Sequence, residues 1–555
     1  MKAGSTATER PDLRPITEVA KQLGLRPADL ELYGKRKAKI NLEVLPRLTA
    51  NPDGNLVLVS AITPTPSGEG KTTVAISLAM GLNRIGQKAI VTLREPSLGP
   101  LFGMKGGATG AGQAKVHPTA DINMHFTGDI HAVTSAHNLI SAVLDNHIFR
   151  RKEPMLDPRR IVWRRVMDMN DRSLRNIVLG LGGKNDGFPR QGGFTITASS
   201  EVMAILCLSL SYPELKERIG NIFLGHTFDN QPVYLRDLKI SGAVTALLRD
   251  ALKPNLVQTS EGGPAFVHGG PFANIAQGTC SIMSMKLALK LAPYVVTEAG
   301  FGFDLGAEKF FDIVARKTNL NPKVVVLVAT VRALKMHGGV PLKEISNPDP
   351  PAIERGFPNL EKHLANIAKF QVPAIVAINR FTTDSEEEVR TLVNLIARQG
   401  TESAIVESYI KGGAGAIELA EKVCKIADHQ RHYTPLYDLN LPVREKIETV
   451  CREMYGCRAV EYTPDANDDL MRIEKLGLTN LPVCIAKTQS SLSDNPDLLG
   501  RPRNFLLTVR NVLISAGAGF LIPVTGNILL MPGLPVKPVA ENIEIDATGE
   551  IIGLQ

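Results

Sequence analysis

Apolar residues along this 555-residue chain recur with two different periods, and the clearest example lies between residues 56 and 86. The run LVLVSAI at Leu56–Ile62 is apolar and rich in β-branched residues, which is typical of a buried strand. Apolar residues then recur at helical spacing from Val74 to Ile85, and Gly86 ends the pattern. The pattern therefore predicts a strand, a loop and a helix.

Similar apolar runs alternate with helical patterns along much of the chain, which predicts an α/β fold with a mostly parallel sheet. The predicted strands after the first are Lys88–Leu93, Asn176–Gly183, Pro254–Thr259, Tyr294–Ala299, Lys323–Thr330, Pro373–Asn379 and Ser403–Ser408. We expect helices at Ile16–Gly24 and Pro27–Leu45, packed against the first sheet. From Leu481 onward the pattern predicts β-rich structure with hairpin turns.

Glycine accompanies a charged or amide residue just after most of these strands. The segments concerned are REPSLGP, LGGKNDG, SEGGPAFVHGG, EAGFGFDLG, VRALKMHGG, NRFTTD and YIKGGAG. Ligands of parallel α/β sheets bind at the carboxyl ends of the strands. We therefore expect these segments to form the rim of one extended active site.

The loop TPTPSGEGKTT between the first strand and its helix has the composition of a phosphate-binding loop. Glycine lets backbone amides approach an anion, lysine adds a charge, and a threonine hydroxyl can bind Mg²⁺. The usual pattern lacks its first glycine here, and a glycine-rich turn before an ordinary surface lysine is the alternative. The candidate ATP-binding residues are Thr65, Pro66, Ser67, Gly68, Glu69, Gly70, Lys71 and Thr72.

Arg94 and Glu95 follow the second predicted strand, beside the phosphate loop. A guanidinium at this place can bind a phosphoryl or carboxylate group in bidentate fashion, although a structural ion pair would also explain the arginine. The following segment Gly99–Gly112 holds six glycines, which indicates a mobile flap or a second anion nest unless it is a flexible linker.

Three carboxylates are candidates for roles in the same site. Glu298 ends an apolar strand, where phosphate-loop proteins often place an acid that orients Mg²⁺. Asp304 is a second candidate for this role, and either residue could instead be a solvated loop carboxylate. Asp129 could act on the substrate or cap the helix that follows it.

Composition limits the possible classes of protein. Apolar residues make up 44% of the chain, and six scattered cysteines include no C-x-x-C pair, which argues against disulfides and zinc. The net charge of +7 is too small for a nucleic-acid footprint and suits anionic small substrates. The basic segment Arg150–Arg165 is interpreted as a solvated or subunit-interface helix. Without a signal sequence or membrane span, we expect a cytoplasmic protein with no membrane or nucleic-acid partner.

Many longer motifs, in this order, resemble the formate–tetrahydrofolate ligase family in its free-standing bacterial form. The resemblance runs from Ile16 to Leu554, and the family's own loop also lacks the first glycine. The motifs are ITPTPSGEGKTT, LREPSLGP, HFTGDIHA, VQTSEGGPAF, VVTEAGFGFDLGAEKF, VATVRALKMHGG, AKTQ, SLSDNP, SAGAGF and MPGLP.

The resemblance implies that formate is joined to N10 of tetrahydrofolate with ATP and Mg²⁺, by way of formyl phosphate. It implies Lys71, Arg94, Glu95, Asp129 and His268 as catalytic residues. It further implies Phe381 and Tyr409 as folate-stacking aromatics, a homotetramer, and possible dependence on a monovalent cation. The candidate magnesium ligands are Thr72 and Glu298, from their places in the phosphate loop and at a strand end. The expected units are a nucleotide-binding domain at 1–365 with an insertion around 117–300, an α/β folate-site domain at 366–440, and a β-rich segment at 441–555.

Four positions depart from the family pattern, namely Thr195, Gln277, Tyr409 and Ser490. They put folate affinity in doubt more than the reaction itself. Three alternatives stay open: another phosphate-loop ligase of the dethiobiotin synthetase kind, a nucleotide-switch protein of the partitioning type, and a non-catalytic relative.

Overall fold

The computed structural model describes residues 13–105, 107–428, 432–526 and 528–554, and a twelve-stranded sheet forms its centre. Its first strands are β1 Leu30–Leu32, β2 Ala38–Ile40, β3 Asn55–Ala61, β4 Ala89–Leu93, β5 Gly110–Ala111 and β6 Ala114–His117. The helices of this part are α1 Ile16–Gln22, α2 Val44–Arg47, α3 Lys71–Arg84, α4 Leu98–Pro100, α5 Thr119–Asn123 and α6 Asp129–Phe149. A π-helical turn follows α4 at Leu101–Lys105.

The next part of the chain lies outside this sheet. Its strands are β7 Leu156–Ile161, β8 Arg165–Met167, β9 Ile177–Leu179, β10 Arg190–Gly192, β11 Phe194–Ile196, β12 Phe223–Thr227 and β13 Pro232–Tyr234. They form three small sheets, β9 with β10, β8 with β11, and β7 with β12 and β13. The helices are α7 Glu201–Cys207, α8 Tyr212–Gly220 and α9 Ser241–Leu247.

The chain then returns to the large sheet and completes it. The strands are β14 Asn255–Thr259, β15 Pro264–Val267, β16 Tyr294–Glu298, β17 Pro322–Ala329, β18 Ala374–Asn379 and β19 Glu402–Val406. The helices are α10 Ile282–Leu291, α11 Arg316–Thr318, α12 Val331–His337, α13 Pro350–Lys369, α14 Glu386–Arg398, α15 Ser408–Lys411 and α16 Ile417–Ala427. Two π-helical segments, Phe303–Ala307 and Phe310–Ala315, follow β16.

The strand order is β1-β2-β14-β15-β4-β16-β3-β17-β18-β19, and the run from β15 to β19 is parallel. Both faces of this run are covered. On β3, Leu56 and Leu58 belong to one core cluster and Val57 and Val59 to the other, on opposite faces of the sheet. Burial on both faces explains why β3 is a continuous apolar run. The expected α/β fold with a mostly parallel sheet is confirmed.

Two local predictions are wrong, and a third is right only in part. The segment Pro27–Leu45 is a hairpin of β1 and β2 beside β14, because strand pairing supplies its hydrogen bonds and Gly34 turns with φ +79°. The predicted strand 176–183 is short and pairs only with β10, since its residues are partly exposed. The basic segment 150–165 contains β7 rather than a helix, and the strand pairs with β12.

The C-terminal part has the predicted β hairpin, formed by β21 and β22, and two helices. Its elements are α17 Val443–Val450, β20 Ala459–Tyr462, α18 Pro464–Lys475, β21 Leu506–Ser515, β22 Phe520–Thr525, β23 Glu544–Ile545 and β24 Ile551–Ile552, with a π-helical turn at Cys451–Tyr455. Short 3₁₀ turns elsewhere span Pro27–Asp29, Arg172–Leu174, Thr197–Ser199, Leu235–Leu238, Gly412–Ala416 and Val539–Asn542. No helix within the described ranges has the length and apolar character to cross a membrane.

Two buried carboxyls, Glu308 and Asp312, lie one helical turn apart in and beside the second π-helical segment. Burial and the neighbouring Asp312 raise the pKa of Glu308 well above its usual value. Burial also raises the pKa of Asp312 to about 6, opposed by Arg316 and by the amide of Leu436. The folded state therefore holds protons that the unfolded chain releases.

The raised pKa of Glu308 makes the stability of the fold depend on pH, and the variant Glu308→Gln tests the sign of this dependence. A raised folded pKa contributes stability at low pH that is lost as pH rises above the unfolded value of about 4.3 and through the folded one. We expect the free energy of unfolding of E308Q, measured in urea between pH 5 and pH 8, to fall less steeply, by up to about 1.4 kcal/mol per pH unit. The exposed control Glu387→Gln should keep the wild-type slope. A wild-type slope in E308Q would contradict the assignment.

Candidate active site at the carboxyl ends of the parallel strands

The loop between β3 and α3 makes a tight turn. The amide of Gly68 donates to the carbonyl of Thr65 at 3.0 Å, and Gly68 and Gly70 have φ of +75° and +73°. Both values lie in the left-handed region that favours glycine. A Cβ on Gly70 would lie 2.5 Å from Nδ2 of Asn379, so no larger residue fits there. The loop ends at the N-terminus of α3, where backbone amides and the helix dipole favour an anion.

Neighbouring strand ends hold this loop in place. Glu69 is buried, and its carboxylate accepts from the amide of Thr65 at 2.7 Å and from the hydroxyl of Thr330. Asn379 donates from Nδ2 to the carbonyl of Glu69 at 3.0 Å. The Glu69 carboxylate thus supports the loop, and its contact with ATP stays a prediction. Thr330 and Asn379, which follow β17 and end β18, were not predicted from the sequence.

Glu298 at the end of β16 connects the loop with the end of β4. Its Oε2 accepts from the Thr72 hydroxyl at 2.7 Å, and its Oε1 lies 3.6 Å from Nη2 of Arg94. Burial lowers the pKa of Lys71, while Glu298 and Glu69 oppose that shift. Lys71, Thr72, Arg94 and Glu298 therefore lie together, as expected from their places after three strands.

The Arg94 guanidinium still has unused hydrogen-bonding capacity. Its Nη1 donates to the carbonyl of Pro271 at 3.4 Å, whereas its buried Nε has no hydrogen-bond partner within the described part of the chain. A Cβ on Gly300 would lie 2.8 Å from Nη1, so glycine at this position leaves room for the side chain. A buried donor without a partner costs stability. An arginine with such a donor is therefore a good candidate to bind an anionic ligand.

The oxygen atoms of Thr72 and Glu298 fit Mg²⁺, which prefers hydroxyl and carboxylate oxygens together with phosphate and water. Residues 13–105, 107–428, 432–526 and 528–554 contain no group of three or more His, Cys, Asp or Glu side chains that could hold a metal. Phosphate oxygens and water would have to complete the coordination. Asp304, the second candidate, instead forms a buried ion pair with Lys487 at 3.2 Å.

Asp129 belongs to a buried polar network near Glu95. Its carboxylate binds Nζ of Lys39 and Nδ2 of Asn255, each at 2.7 Å. The residue before it, Gly128, is the N-cap of α6, so the capping alternative for Asp129 is wrong. Lys39 was missed because a lysine in a short strand gives no signal that it points into the core. The role of Asp129 in catalysis stays a prediction.

Glu95 and His268 are part of the same buried region. Burial and Asp129 raise the pKa of Glu95 well above its usual value, and Lys39 opposes that shift. Burial lowers the pKa of His268 to about 4, and its two ring nitrogens contact the Ser281 hydroxyl at 2.6 Å and a backbone carbonyl at 2.7 Å. Direct contact of either residue with substrate stays a prediction.

The two candidate folate-stacking residues follow neighbouring strands. Phe381 is partly buried after β18, and Tyr409 is 59% exposed on α15 after β19. The amide of Arg380 donates to the carbonyl of Val406 at 3.0 Å, which links the two strand ends. Both rings are thus on the same edge of the sheet as the phosphate loop, as predicted. Stacking on folate itself is untested.

The glycine-rich segment 99–112, of which Gly106 lies outside the described residues, packs against this edge. The amide of Gln113 donates to the carbonyl of Tyr409 at 2.9 Å, and a Cβ on Gly112 would lie 2.0 Å from that carbonyl oxygen. At the other end, Asn170 donates from Nδ2 to the carbonyl of Gly99 at 3.0 Å. The segment is therefore anchored at both ends, and its role as a flap or anion nest stays a prediction.

Not every predicted rim segment reaches this edge. The segment LGGKNDG follows β9, outside the large sheet, and SEGG turns between the antiparallel strands β14 and β15. Because β14 runs against its neighbours, its carboxyl end lies at the opposite edge. The single extended rim predicted from the sequence is therefore wrong for LGGKNDG and for the SEGG part of SEGGPAFVHGG. The HGG part of that segment follows β15 and does reach the edge, where the carbonyl of Gly269 accepts from the amide of Glu95 at 2.8 Å.

Comparison with known proteins agrees with this arrangement. The family model described as formate–tetrahydrofolate ligase matches residues 4–555. A curated formate–tetrahydrofolate ligase from Syntrophus aciditrophicus (strain SB) is 56% identical over 544 residues, which cover 98% of this chain and 96% of the relative. The chain belongs to the formate–tetrahydrofolate ligase family. Its fit to that family extends over nearly the whole length of both proteins.

One solved structure, described as an FPGS-AMPPCP-folate complex, is 10% identical to this family member and covers 84% of this chain and 87% of that chain. Its TM-score is 0.21, which is too low to indicate a shared fold.

The buried pair of Lys39 and Asp129 yields a stability prediction for this formate–tetrahydrofolate ligase family member. In Asp129→Asn the Lys39 ammonium stays buried without a countercharge, which should cost about 3–5 kcal/mol of unfolding free energy in urea. The matched control Asp121→Asn removes a partly exposed partner of Lys37 and should cost at most about 1 kcal/mol. The double variant K39M/D129L should recover much of the loss. Equal stability of D129N and wild type would contradict the role of the pair.

Proposed function

We propose that the chain catalyses the ATP-dependent ligation of formate to N10 of tetrahydrofolate, by way of formyl phosphate. The single observation that carries the proposal is the position of Arg94. This arginine follows β4, which β16 separates from the strand that leads into the phosphate loop, and its buried Nε has no hydrogen-bond partner within the described residues. A phosphate loop alone is compatible with many ATP-dependent reactions, whereas a second anion-binding cation beside it suits the activation of a carboxylate.

In the first step, a formate oxygen attacks the γ-phosphorus of ATP and ADP leaves. Negative charge grows on the transferring phosphoryl oxygens, and Lys71, Arg94 and the loop amides are placed to stabilise it. Glu298 lies between Thr72 and Arg94, so it can keep both side chains oriented before the substrates bind. Mg²⁺ bound at Thr72 and Glu298 would neutralise part of the phosphate charge.

In the second step, N10 of tetrahydrofolate attacks the formyl carbon, and phosphate leaves. Formyl phosphate is a reactive mixed anhydride, so Arg94 would hold it away from water until N10 arrives. Phe381 and Tyr409 offer two flat surfaces for the folate rings at the ends of neighbouring strands. The phosphate that leaves can accept the proton that N10 loses.

Several finer points rest on the resemblance to the family alone. We propose a homotetramer in the cytoplasm, possible dependence on a monovalent cation, and the division into units at 1–365, 366–440 and 441–555. The strands β18 and β19 of the second unit extend the same sheet as β3, so the folate and ATP sites share one framework.

The variants Lys71→Ala and Arg94→Ala test the proposed roles. Each removes a charge that stabilises the transferring phosphoryl group, so formate- and folate-dependent ADP release should fall at least about 100-fold. R94A should still bind ATP, because the loop is intact, while K71A should lose ATP affinity.

The exposed control Lys88→Ala, just before β4, should keep wild-type activity. Product is measured as the acid-converted methenyl absorbance, with omission of ATP, formate or tetrahydrofolate in turn. Retention of a tenth of the activity in either site variant would overturn its assigned role. Absence of product from wild type with all three substrates would overturn the proposed function.

A further inference from the structure

The ring of Phe381 has a charged neighbour on one face. The guanidinium carbon of Arg332 lies 3.6 Å from the ring centroid, which is contact distance for a stacked cation–π pair. Arg332 is on the first turn of α12, which follows β17, and Phe381 follows the adjacent strand β18. No other aromatic ring contacts Phe381 among the residues that the structure describes.

Arg332 has no other specific contact that explains its position. Within the described ranges, its guanidinium takes part in no hydrogen bond and no salt bridge, although it is partly buried. Its charge also acts on Asp384. Burial raises the pKa of Asp384, and the amide of Phe381 and the charge of Arg332 oppose that shift. The turn itself is closed without Arg332, since the Phe381 amide donates to Asp384 Oδ2 at 2.8 Å. The stacked ring is thus the main contact of this arginine.

We propose that Arg332 is a positioning residue for folate, which fixes the Phe381 ring and leaves its opposite face for the pteridine of tetrahydrofolate. This inference rests on the proposed function. The cation also draws π-electron density of the ring toward itself, so the free face becomes less negative. An electron-rich reduced pteridine stacks better on such a face than an oxidised one. Arg332 would therefore favour tetrahydrofolate over folate.

The position of Arg332 also separates this role from ATP binding. Thr330, two residues earlier, binds the Glu69 carboxylate of the phosphate loop and caps α12 through the amide of Ala333 at 3.0 Å. Substitution of Arg332 leaves both of these contacts in place. A variant of Arg332 that loses affinity only for tetrahydrofolate would therefore act through the Phe381 ring and not through the phosphate loop.

The test uses the full chain with Arg332→Met, Arg332→Lys, Phe381→Leu and the double variant R332M/F381L. We expect R332M to raise the KM for tetrahydrofolate about three- to tenfold, the size of one stacking contact, with kcat and the KM for ATP and formate within about twofold of wild type. R332K should recover less than half of the affinity, because an ammonium lacks the planar face of guanidinium. In the double variant, R332M should add nothing to the effect of F381L.

Direct binding of tetrahydrofolate and folate, measured by calorimetry, distinguishes the inference from the proposed function, because binding needs no turnover. R332M should reduce the preference for the reduced form, and the exposed control Arg390→Met on α14 should change neither affinity. An unchanged affinity of R332M for tetrahydrofolate would overturn the proposal. Additive effects of R332M and F381L, or an equal loss of ATP affinity, would overturn it as well.

Discussion

Glu298 lies between the Thr72 hydroxyl and the Arg94 guanidinium because β16 is inserted between β3 and β4 in the sheet. In this register Glu298 pairs with Val59 of β3, and the preceding Thr297 pairs with Thr92 of β4. The carboxylate therefore reaches Thr72 on one side and Arg94 on the other. The geometry that joins the phosphate loop, the proposed magnesium ligands and the proposed anion-binding arginine depends on this one strand insertion.

A second constraint is the buried network of Lys39, Asp129 and Asn255 beside Glu95. Lys39, Asp129 and Asn255 come from three separate elements and bury a full ion pair. Buried charges are stable only when each has its partner, so the network also fixes how β2, β14 and α6 meet. Tyr409 on α15, by contrast, is largely exposed.

The phosphate loop and Phe381, the proposed folate-stacking residue, both contact the start of α12. The first turn of α12 carries Thr330 against Glu69 and Arg332 against Phe381. The proposed ATP and folate sites would therefore share this single short segment. In the proposed two-step ligation, such an arrangement would hold the acyl phosphate and its acceptor at a defined separation.

The sequence by itself determined β3, α3 and the parallel strands β4, β16, β17, β18 and β19, and it placed Lys71, Arg94 and Glu298 just after or at the end of such strands, because periodicity and glycine placement are local properties. It missed the short parallel strand β15. It could not determine that Pro27–Leu45 forms a hairpin, since the partner strand β14 lies more than 200 residues away. Nor did it show Lys39 opposite Asp129, or Arg332 on Phe381. These contacts join distant segments, and only the tertiary structure decides which strand ends become neighbours.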